Sequence, residues 1–595
     1  MSATSKGRAT VDAHTEAVAL WSVIGLVVVG VGLLNAAVRL GAALDGRGER
    51  LPGNPVTLVA DVVRGRVAWP EHATVVLIGL LVLLAALAGA AAWLWRRLRP
   101  GGGVDRAARH MGGGRDLAAL DRRGAAATAK RLGVDRPGLT IAKTVIGGRV
   151  LYQGWEDTAT DIAGPRTGKT TSRVIPAILE APGAVVSTSN KRDVVDATRD
   201  PRSAEGPVWV FDPQQLVAEP VTWWWNPLRY VTDEEKAATL ADVFAAAVAD
   251  PDARTDAFFD PKGQKVVAAL LLAAASAGRT IDQVYLWVAD PRDDEPVILL
   301  REAGYDLLAA SLAAEINAPD KQRGGVYGTA EKVLAFLTNG RALAWVTPGE
   351  GREEFRPEEF VQGTGTLYSL SKEGKGSLGA LVAALTVAVT EAAEELAKGQ
   401  PGGRLRVPAL LVLDEAANVC RWPELPNLYS HYGSRGICVM TFLQSWSQGV
   451  EVWGRNGMRK LWSASTVKVY GGGVSEVEFL SDLAQLIGDY ERPTTSSSHA
   501  KGGRSTTYAT QRERILDVSD LAALPRGRAI VLAASAPPVL VRTLPWMAGP
   551  RAAEVRLSLR EHDPAAPVTL AAAAAALGED EAAGAGASTA GRGDR

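Results

Sequence analysis

The sequence is poor in the side chains that build disulfide and zinc sites. It holds only two cysteines, Cys420 and Cys438, in 595 residues. A disulfide scaffold is therefore excluded, and a reducing compartment fits the composition. The six histidines lie far apart along the chain, and no pair has the spacing of zinc ligands. These absences exclude zinc fingers and zinc hydrolases.

The chain also lacks an excess of charge of either sign. Its 65 lysines and arginines stand against 66 aspartates and glutamates, which gives a net charge of -1. This balance argues against a protein that coats nucleic acid as histones do, while a local basic surface stays compatible with it. Hydrophobic residues make up 47% of the chain, so wholesale disorder is excluded. The length leaves room for about three or four domains.

Two long uncharged segments lie near the N-terminus, at Ala17–Val38 and Ala73–Trp95. About 20 apolar residues cross a bilayer as a helix, so each segment predicts one transmembrane helix. The alternatives are a signal peptide for the first segment and a buried core helix for either, but the apolar region of a signal peptide is shorter. We expect two spans within residues 17–95, joined by a short extracytoplasmic loop and preceded by a cytoplasmic tail over residues 1–16.

The remainder of the chain has the pattern of an α/β protein. We interpret residues 96–139 as a linker, after which short apolar runs alternate with helical patterns, as is typical of a parallel sheet covered by helices. Residues 140–230 and 340–550 are assigned to this sheet domain. The predicted strands are Thr158–Ala163, Ala184–Ser187, Val208–Phe211, Leu343–Val346, Thr366–Leu370, Ala409–Leu413, Ile437–Phe442, Thr466–Tyr470 and Ala529–Leu532.

Two regions depart from the α/β pattern. Residues 231–339 have helical periodicity and almost no strand signal, which predicts an all-α domain inserted into the sheet domain. Residues 551–595 are rich in alanine and glycine with a few acidic residues, and we expect them to form a disordered tail.

A phosphate-binding loop is predicted in the string AGPRTGKT, residues 163–170. Gly164 and Gly168 allow the backbone to turn so that successive N–H groups face the phosphates. Lys169 would place its cation at the β- and γ-phosphate oxygens, and the Thr170 hydroxyl would coordinate Mg²⁺. A helix predicted over Thr171–Glu180 presents its N-terminus to the same anion. The nucleotide-binding set is Gly164, Pro165, Arg166, Thr167, Gly168, Lys169, Thr170 and Thr171.

A second acidic element lies in ALLVLDEA, residues 409–416, a hydrophobic strand that ends in adjacent carboxylates. Asp414 at the tip of the strand would hold Mg²⁺ through water. Glu415 would polarise the attacking water as a general base. The alternative is an acidic turn at the end of a strand.

Two further polar residues flank the apolar string ICVMTFL. Gln444 follows it and would sense the γ-phosphate from the tip of the strand; a plain loop residue is the alternative. Arg435 precedes it and would act as an arginine finger on the phosphates of a neighbouring subunit. A surface arginine in a turn is the alternative for Arg435.

The order of these motifs resembles that of the conjugative coupling proteins of type IV secretion systems, the TraG type, in the form found in actinobacteria. The resemblance covers about residues 154–546, follows two N-terminal spans, and departs from the usual pattern at Ala163, where a glycine is expected. The matching strings are GWEDTATDIAGPRTGKTTS, VVSTSNKRDVVDATRDP, WVFDP, WWWNPL, GTLYSLSKEG, LLVLDEAANV, GICVMTFLQSWSQ, VKVYGGG and GRAIVLAASAPPVLVRTLPW.

The resemblance implies the fold and the function of the whole protein. It implies a RecA-like P-loop NTPase domain with an inserted all-α domain and two N-terminal transmembrane helices, assembled as a hexamer. It implies ATP and Mg²⁺ as cofactors, and a role in recruiting a relaxase–single-stranded DNA complex and passing it to the channel proteins of a type IV secretion system. The two spans make the protein multi-pass in the cell membrane. The ATP-using domain belongs in the cytoplasm, which fixes the orientation of the spans. By position, Lys169, Thr170, Asp414, Glu415 and Gln444 match the nucleotide-site motifs of the family, and Arg435 stands where an arginine is frequent.

Two other functions remain open. A septal-type translocase of duplex DNA would carry a basic winged-helix module at its C-terminus, whereas this chain ends in an acidic tail. A membrane receptor for secretion substrates would not need hydrolysis, and the complete set of Lys169, Asp414 and Glu415 argues against it.

The sequence gives only a weak signal for the residues that would contact DNA. A ring motor contacts the phosphate backbone through cations and polar groups, independent of base sequence. Lys372 and Lys375 in one loop, and Lys501, Arg504 and Arg512 in a stretch rich in serine and threonine, are the candidates. A solvated surface loop is the alternative for each of them.

Overall fold

The computed structural model describes residues 27–46, 51–98, 102–249, 256–374, 378–500 and 503–564. The chain divides into two units, Met1–Pro100 and Gly101–Arg595. The first unit contains the helices α1 (Val27–Leu44), α2 (Pro55–Val63) and α3 (Ala73–Leu98). Both α1 and α3 are long and apolar enough to cross a membrane. The predicted tail 1–16 and residues 17–26 of the first predicted span lie outside the described residues.

An eleven-stranded sheet forms the centre of the second unit. Two further pairs of strands form small sheets of their own. In chain order the strands are β1 (Leu139–Thr144), β2 (Val150–Gln153), β3 (Ala159–Ile162), β4 (Val185–Ser189), β5 (Val208–Phe211), β6 (Trp223–Trp225), β7 (Glu353–Phe355), β8 (Thr366–Leu370), β9 (Ala409–Leu413), β10 (Ile437–Leu443), β11 (Val467–Tyr470), β12 (Asp489–Ala500), β13 (Gly503–Arg514), β14 (Arg528–Ala533) and β15 (Ala536–Arg542).

The order of strands in the large sheet is β2-β1-β15-β14-β11-β3-β10-β9-β4-β8-β5. From β11 to β5 all neighbours pair in parallel, as the alternating pattern predicts. The strands β14, β15, β1 and β2 extend the sheet with antiparallel pairs. Every residue of β3, β4, β8, β9 and β10 is buried, because helices cover both faces of the parallel part.

Helices connect these strands. In chain order they are α4 (Gly102–Asp105), α5 (Arg122–Arg131), α6 (Ile175–Glu180), α7 (Asp193–Ser203), α8 (Glu234–Val248), α9 (Phe259–Ser276), α10 (Ile281–Ala289), α11 (Glu295–Glu302), α12 (Asp306–Ile316), α13 (Asp320–Leu334), α14 (Gly340–Ala344), α15 (Pro357–Phe360), α16 (Gly379–Lys398), α17 (Ala416–Val419), α18 (Leu425–Ser434), α19 (Trp446–Ala464), α20 (Val477–Ile487), α21 (Val518–Ala522) and α22 (Ala552–Glu561).

The helices from α8 to α14 form the all-α insertion between β6 and β7. The strand predicted at Leu343–Val346 is wrong, because the chain there continues the helical block. The side chain of Asn339 accepts hydrogen bonds from the N–H groups of Arg341 and Ala342 and starts α14. Trp345 then packs against Trp223 with ring centroids 5.2 Å apart. This contact joins the insertion to β6 beside the sheet.

The predicted linker and the first part of the predicted disordered tail both contain helices. The segment interpreted as a linker holds α4 and α5, and the carboxylate of Asp105 accepts hydrogen bonds from Arg528 Nε at 2.7 Å and Nη2 at 2.9 Å. Within the segment interpreted as a disordered tail, α22 buries Val555 beside Leu179. Residues 565–595 lie outside the described residues.

Candidate nucleotide site

The predicted phosphate loop follows β3, which lies between β10 and β11 near the centre of the large sheet. The N–H of Ala163 donates to Leu443 O at 3.0 Å, and the N–H of Gly164 donates to Gly472 O at 2.9 Å. The ends of both neighbouring strands therefore hold the loop. The loop lies at the carboxyl edge of the parallel strands, where open α/β sheets bind their ligands.

The glycines of the loop are required by its geometry. A Cβ on Gly164 would lie 2.0 Å from the carbonyl oxygen of Gly473, so no residue with a side chain fits at this position. Gly168 has a φ of 90°, a left-handed conformation that glycine adopts without strain. Ala163, which replaces the expected first glycine, does not have a positive φ, so its methyl group is tolerated.

The helix after the loop begins with an unusual turn. Residues 170–174 form a π-helical turn before α6, so the helical segment starts one residue earlier than predicted. π-Helical turns are rare in proteins, and many of those that occur lie at functional sites. The Thr171 hydroxyl donates to Gly168 O at 3.1 Å, and the Thr167 hydroxyl donates to Gly164 O at 2.8 Å. The two threonines fix the curvature of the loop.

Four of the predicted site residues meet at this edge of the sheet. Lys169 Nζ lies 2.7 Å from Glu415 Oε1 and 3.7 Å from Asp414 Oδ1. Gln444 Nε2 donates a hydrogen bond of 2.8 Å to the other Glu415 oxygen, Oε2. The phosphate loop, the end of β9 and the end of β10 thus converge on one carboxylate.

The backbone of Glu415 is strained in a way that serves this geometry. Its φ of 54° is left-handed, which costs a residue with a side chain about 1–3 kcal/mol. The turn comes directly after Asp414, whose carbonyl oxygen accepts a hydrogen bond of 3.2 Å from the Thr188 hydroxyl. As a result, both carboxylates face Lys169 although they are adjacent in sequence.

The environment of Asp414 fits a bound cation. Burial raises the pKa of its carboxyl to about 6, against the opposing attraction of Lys169. Its Oδ1 atom is buried without a hydrogen-bond partner among the described residues. Carboxylate and hydroxyl oxygens are ligands that Mg²⁺ accepts, and Thr170, the predicted second ligand, would supply the hydroxyl. The residues present therefore fit a magnesium–nucleotide complex.

Sequence reasoning missed a buried ion pair behind the loop. Arg173 Nε donates to Asp161 Oδ2 at 2.8 Å, and Arg173 Nη1 donates to Thr140 O at 2.9 Å. The pair ties the first helical turn after the loop to β3 and β1. A signal was present, because both charges stand in otherwise apolar or buried elements, but their partnership depends on the tertiary fold.

Arg435 is not brought to the phosphate loop of its own chain. It precedes β10, whereas Gln444 follows it, and a strand of seven residues spans about 23 Å. Arg435 Nη1 donates to Gly403 O at 3.0 Å, and its Nε lies 3.3 Å from His431 Nε2. Any role in hydrolysis must therefore concern another copy of the chain, and that role stays a prediction.

The structure describes three of the five DNA-contact candidates, Lys372, Arg504 and Arg512. The backbone N–H of Lys372 donates to Gln214 Oε1 at 2.8 Å. Arg504 and Arg512 belong to β13. Lys375 and Lys501 lie outside the described residues.

Comparison with known proteins agrees with the geometry. Residues 408–526 match the family model described as the TraM recognition site of TraD and TraG. The bacterial conjugative coupling protein TrwBdeltaN70, in its unbound monoclinic form, superposes with a TM-score of 0.50 at 16% identity, over 68% of this chain and 88% of that chain. The chain has the fold of a conjugative coupling protein.

The coupling-protein fold confirms the resemblance found in the sequence, with its RecA-like P-loop domain and its all-α insertion. The family match spans β9 to α21 and so includes Asp414, Glu415, Arg435 and Gln444. A second coupling-protein structure, TrwB in complex with ADP and Mg²⁺, has a TM-score of 0.49 at 16% identity, over 70% of this chain and 92% of that chain. No curated protein sequence matches the chain. The actinobacterial form of the family stays a prediction.

Proposed function

We propose that this protein is a membrane-anchored ATPase that recruits a relaxase–single-stranded DNA complex and drives its transfer into a type IV secretion channel. The observation that carries the proposal is the convergence of Lys169, Asp414, Glu415 and Gln444 at the carboxyl edge of a coupling-protein sheet. A receptor without hydrolysis would have no need of a strained glutamate at this point.

The contacts suggest how the site works. Lys169 would bind the β- and γ-phosphate oxygens of ATP. In the structure its ammonium group forms an ion pair with Glu415. When Lys169 turns to the phosphates, Glu415 stays oriented by the amide of Gln444. Glu415 would then accept the proton of the water that attacks the γ-phosphate. Loss of the γ-phosphate would alter the position of Glu415 and, through the hydrogen bond between Gln444 and Glu415, that of Gln444.

Thr170 and Asp414 are the residues that would hold Mg²⁺. When bound, Mg²⁺ neutralises charge that develops on the phosphate oxygens. Asp414 would contribute Oδ1, which has no hydrogen-bond partner in the described part of the chain, and Thr170 stands at the start of the π-helical turn.

The partners follow from three further observations. The match to a TraM recognition region supports docking of a relaxosome on residues 408–526. The helices α1 and α3 support a multi-pass anchor in the cell membrane. The proposed use of ATP supports a cytoplasmic position for the ATPase domain. A hexameric ring would place Arg435 at the phosphates of a neighbouring copy, which agrees with its separation from its own phosphate loop.

The test replaces the cation of the phosphate loop. Lys169→Ala should abolish ATP hydrolysis and DNA transfer while the protein remains folded and membrane-bound, since the side chain serves charge placement. Lys130→Ala, at an exposed position of α5, is the matched control and should behave as the wild type. Hydrolysis is measured with and without single-stranded DNA, and transfer in a mating assay. Normal transfer by a stably expressed Lys169→Ala protein would refute a motor and leave the receptor as the better description.

A further inference from the structure

The short helix α2 lies between the two candidate spans, and neither the nucleotide site nor the spans themselves account for it. Pro55 occupies its first position, and the N–H of Val56 donates to the side chain of Asn54 at 2.9 Å. Asparagine before a helix and proline at its first position are common helix starts. The helix has nine residues, and an isolated helix of this length is marginal in water, so its faces need cover.

A contact with α1 fixes the depth at which α2 begins. Arg39 Nη2 donates to Pro52 O at 2.5 Å and to Gly53 O at 3.2 Å, just before the helix starts. Arg39 is the first charged residue of α1, and it stands five residues before Leu44, which is about 8 Å of helix. The start of α2 therefore lies beside the polar end of the first candidate span.

The chain that leaves α2 returns to the same depth. Trp69 Nε1 donates at 2.9 Å to the hydroxyl of Thr74, in the first turn of α3. A Cβ on Gly41 would lie 2.6 Å from the backbone nitrogen of Ala73, so the end of α1 and the start of α3 touch. Both ends of the connecting segment are thus held at the level where the two apolar helices end.

The helix α2 has an exposed apolar face. Val56 and Val63 stand seven residues apart, which places them on one face of the helix, and they are 63% and 81% exposed. Leu58 lies on the opposite side of the helix and is fully buried. Thr57 and Arg64 share a third face, which is polar and exposed. The apolar face is therefore separate from the side by which α2 packs.

A lipid surface is the cover that the position of this face favours. A helix held at the depth where two spans end lies at the boundary between acyl chains and headgroups, and an apolar face is buried there. Arg64 and Arg66 are exposed and supply cations for the headgroups. Trp69 is partly exposed and is the aromatic residue that membrane interfaces favour. Lipid already surrounds the ends of both spans, so no further molecule has to reach the face.

We propose that residues 51–69 form an interfacial element of the anchor, in which α2 lies along the membrane surface with Val56 and Val63 in the lipid. The proposal rests on the proposed function in one respect only, that α1 and α3 cross a membrane. It adds a lipid-binding surface to the segment that joins them.

The experiment measures the depth of single side chains in the full-length protein, reconstituted in vesicles of phosphatidylcholine and phosphatidylglycerol. Both native cysteines, Cys420 and Cys438, are buried, so an introduced cysteine takes up a nitroxide spin label selectively. Collision of the label with oxygen, which concentrates in lipid, is compared with its collision with a nickel chelate that stays in water. The wild type measures any labelling of the native thiols.

The labelled positions on α2 form two matched pairs. Val56→Cys and Val63→Cys report on the apolar face, and Thr57→Cys and Arg64→Cys report on the polar face one residue further along. Two references calibrate the scale. Leu83→Cys, at an exposed position within α3, is the reference for lipid.

Lys130→Cys, at an exposed position of α5, is the reference for water. The labels at Val56 and Val63 should lie about 5–10 Å below the boundary between headgroups and acyl chains, and those at Thr57 and Arg64 at this boundary or above it.

A charge placed on the apolar face should lift the helix out of the lipid. With the label at Val63→Cys, Val56→Asp should raise collision with the nickel chelate towards the water reference. Thr57→Asp should leave it unchanged, because this position already faces away from the lipid. Both substitutions lie in the first turn of α2, where an acidic side chain stabilises a helix, so neither should unfold it.

Equal depths for the two pairs would overturn the proposal. Labels at Val56 and Val63 that neither reagent reaches would also overturn it, because protein, such as a second copy of the chain, would then cover the face. If these two labels are as open to the nickel chelate as the water reference, the face is free for another protein and the proposal is wrong. If the Leu83 label itself lies in water, α3 does not cross the membrane, and the membrane anchor of the proposed function is refuted.

Discussion

At the scale of single residues, the nucleotide site is defined by how its charges are balanced. Asp414 and Glu415 are 4% and 5% exposed, and one lysine serves both of them. Buried carboxylates next to each other disfavour their common ionisation, and Lys169 offsets this repulsion. Burial raises the pKa of the Asp414 carboxyl to about 6, although the charge of Lys169 lowers it. If Asp414 holds Mg²⁺ as proposed, protons and magnesium compete for its carboxylate close to physiological pH.

This competition predicts a pH dependence of Mg²⁺-assisted nucleotide binding. The ionised fraction of Asp414 falls as the pH drops through about 6, so the gain in affinity that Mg²⁺ gives should fall about 10-fold between about pH 7 and pH 5. Asp414→Asn should show a small gain that depends less on pH. Titration of the nucleotide itself is common to both proteins and cancels in the comparison. Binding of a fluorescent ATP analogue with and without Mg²⁺ checks this, and equal pH profiles for both proteins would contradict it.

The sequence predicts the polar residues of the candidate site better than it predicts the contacts that hold them in place. The sequence predicts Lys169, Asp414, Glu415 and Gln444 because each follows from a motif at the end of an apolar strand, and the structure brings the four side chains together. The pairing of Arg173 with Asp161 and the packing of Gly473 on the loop could not be found, since they depend on which strands become neighbours. Local sequence patterns indicate the candidate site residues, whereas the contacts that make the site rigid depend on the tertiary fold.

At the scale of elements, the length of β10 separates two predicted site residues, Gln444 and Arg435. Gln444 at its carboxyl end contacts Glu415 of the same chain, and Arg435 at its amino end does not. If Arg435 completes the site of a neighbouring copy, Arg435→Ala should reduce turnover about 10³-fold without weakening ATP binding. A mixture of Arg435→Ala with Glu415→Gln should regain part of the activity, because some interfaces then pair an intact Glu415 with an intact Arg435.

The control for that mixture uses two changes within one site. Glu415→Gln mixed with Lys169→Ala restores no complete site, because Lys169 and Glu415 of one chain contact each other. ATP hydrolysis is measured in mixtures in which mixed rings are shown to form. If the first mixture stays as inactive as the second, Arg435 serves structure alone.

The helix α22 gives a second prediction at this scale. Val555 is fully buried against Ile175 and Leu179 on the helix that follows the phosphate loop, whereas Leu557 is 52% exposed. Val555→Ala should lower the free energy of unfolding by about 2 kcal/mol through lost burial and the cavity that remains. Leu557→Ala should change it by less than about 0.5 kcal/mol. Equal thermal midpoints for the two variants would show that α22 does not stabilise the domain.

The strands of the parallel part were predictable, and three strands of the antiparallel part were not. The parallel strands β3, β4, β5, β8, β9, β10 and β11 match predicted runs because most of the residues in these strands are buried. The strands β1, β2 and β15 mix polar and apolar residues, as expected where one face of a strand is less covered, and the sequence did not reveal them. At α22 the alanine-rich composition concealed the apolar stripe that contains Val555.

At the scale of the whole molecule, the apolar helices belong to the first unit and the candidate nucleotide site belongs to the second. Removal of Met1–Arg99 should leave a soluble protein that still binds ATP, because the site lies entirely in the second unit. Without the apolar helices the copies lose a common plane that raises their local concentration, so a ring should dissociate on dilution. Light scattering of the truncated protein, compared with the full chain in detergent, measures this. A stable hexamer at low micromolar concentration would show that the first unit is an anchor only.

The strand order of the large sheet also has a consequence for how the protein is made. The strand that carries the phosphate loop, β3, pairs only with β10 and β11, and the early strand β1 pairs with β15 near the other end of the domain. Translation delivers the apolar helices and β3 long before these partners. During that interval β3 has open edges, a state that invites wrong pairing. We therefore expect that a nascent chain acquires its affinity for ATP only when the ribosome has passed β11, so that nucleotide binding marks a chain whose motor is nearly complete.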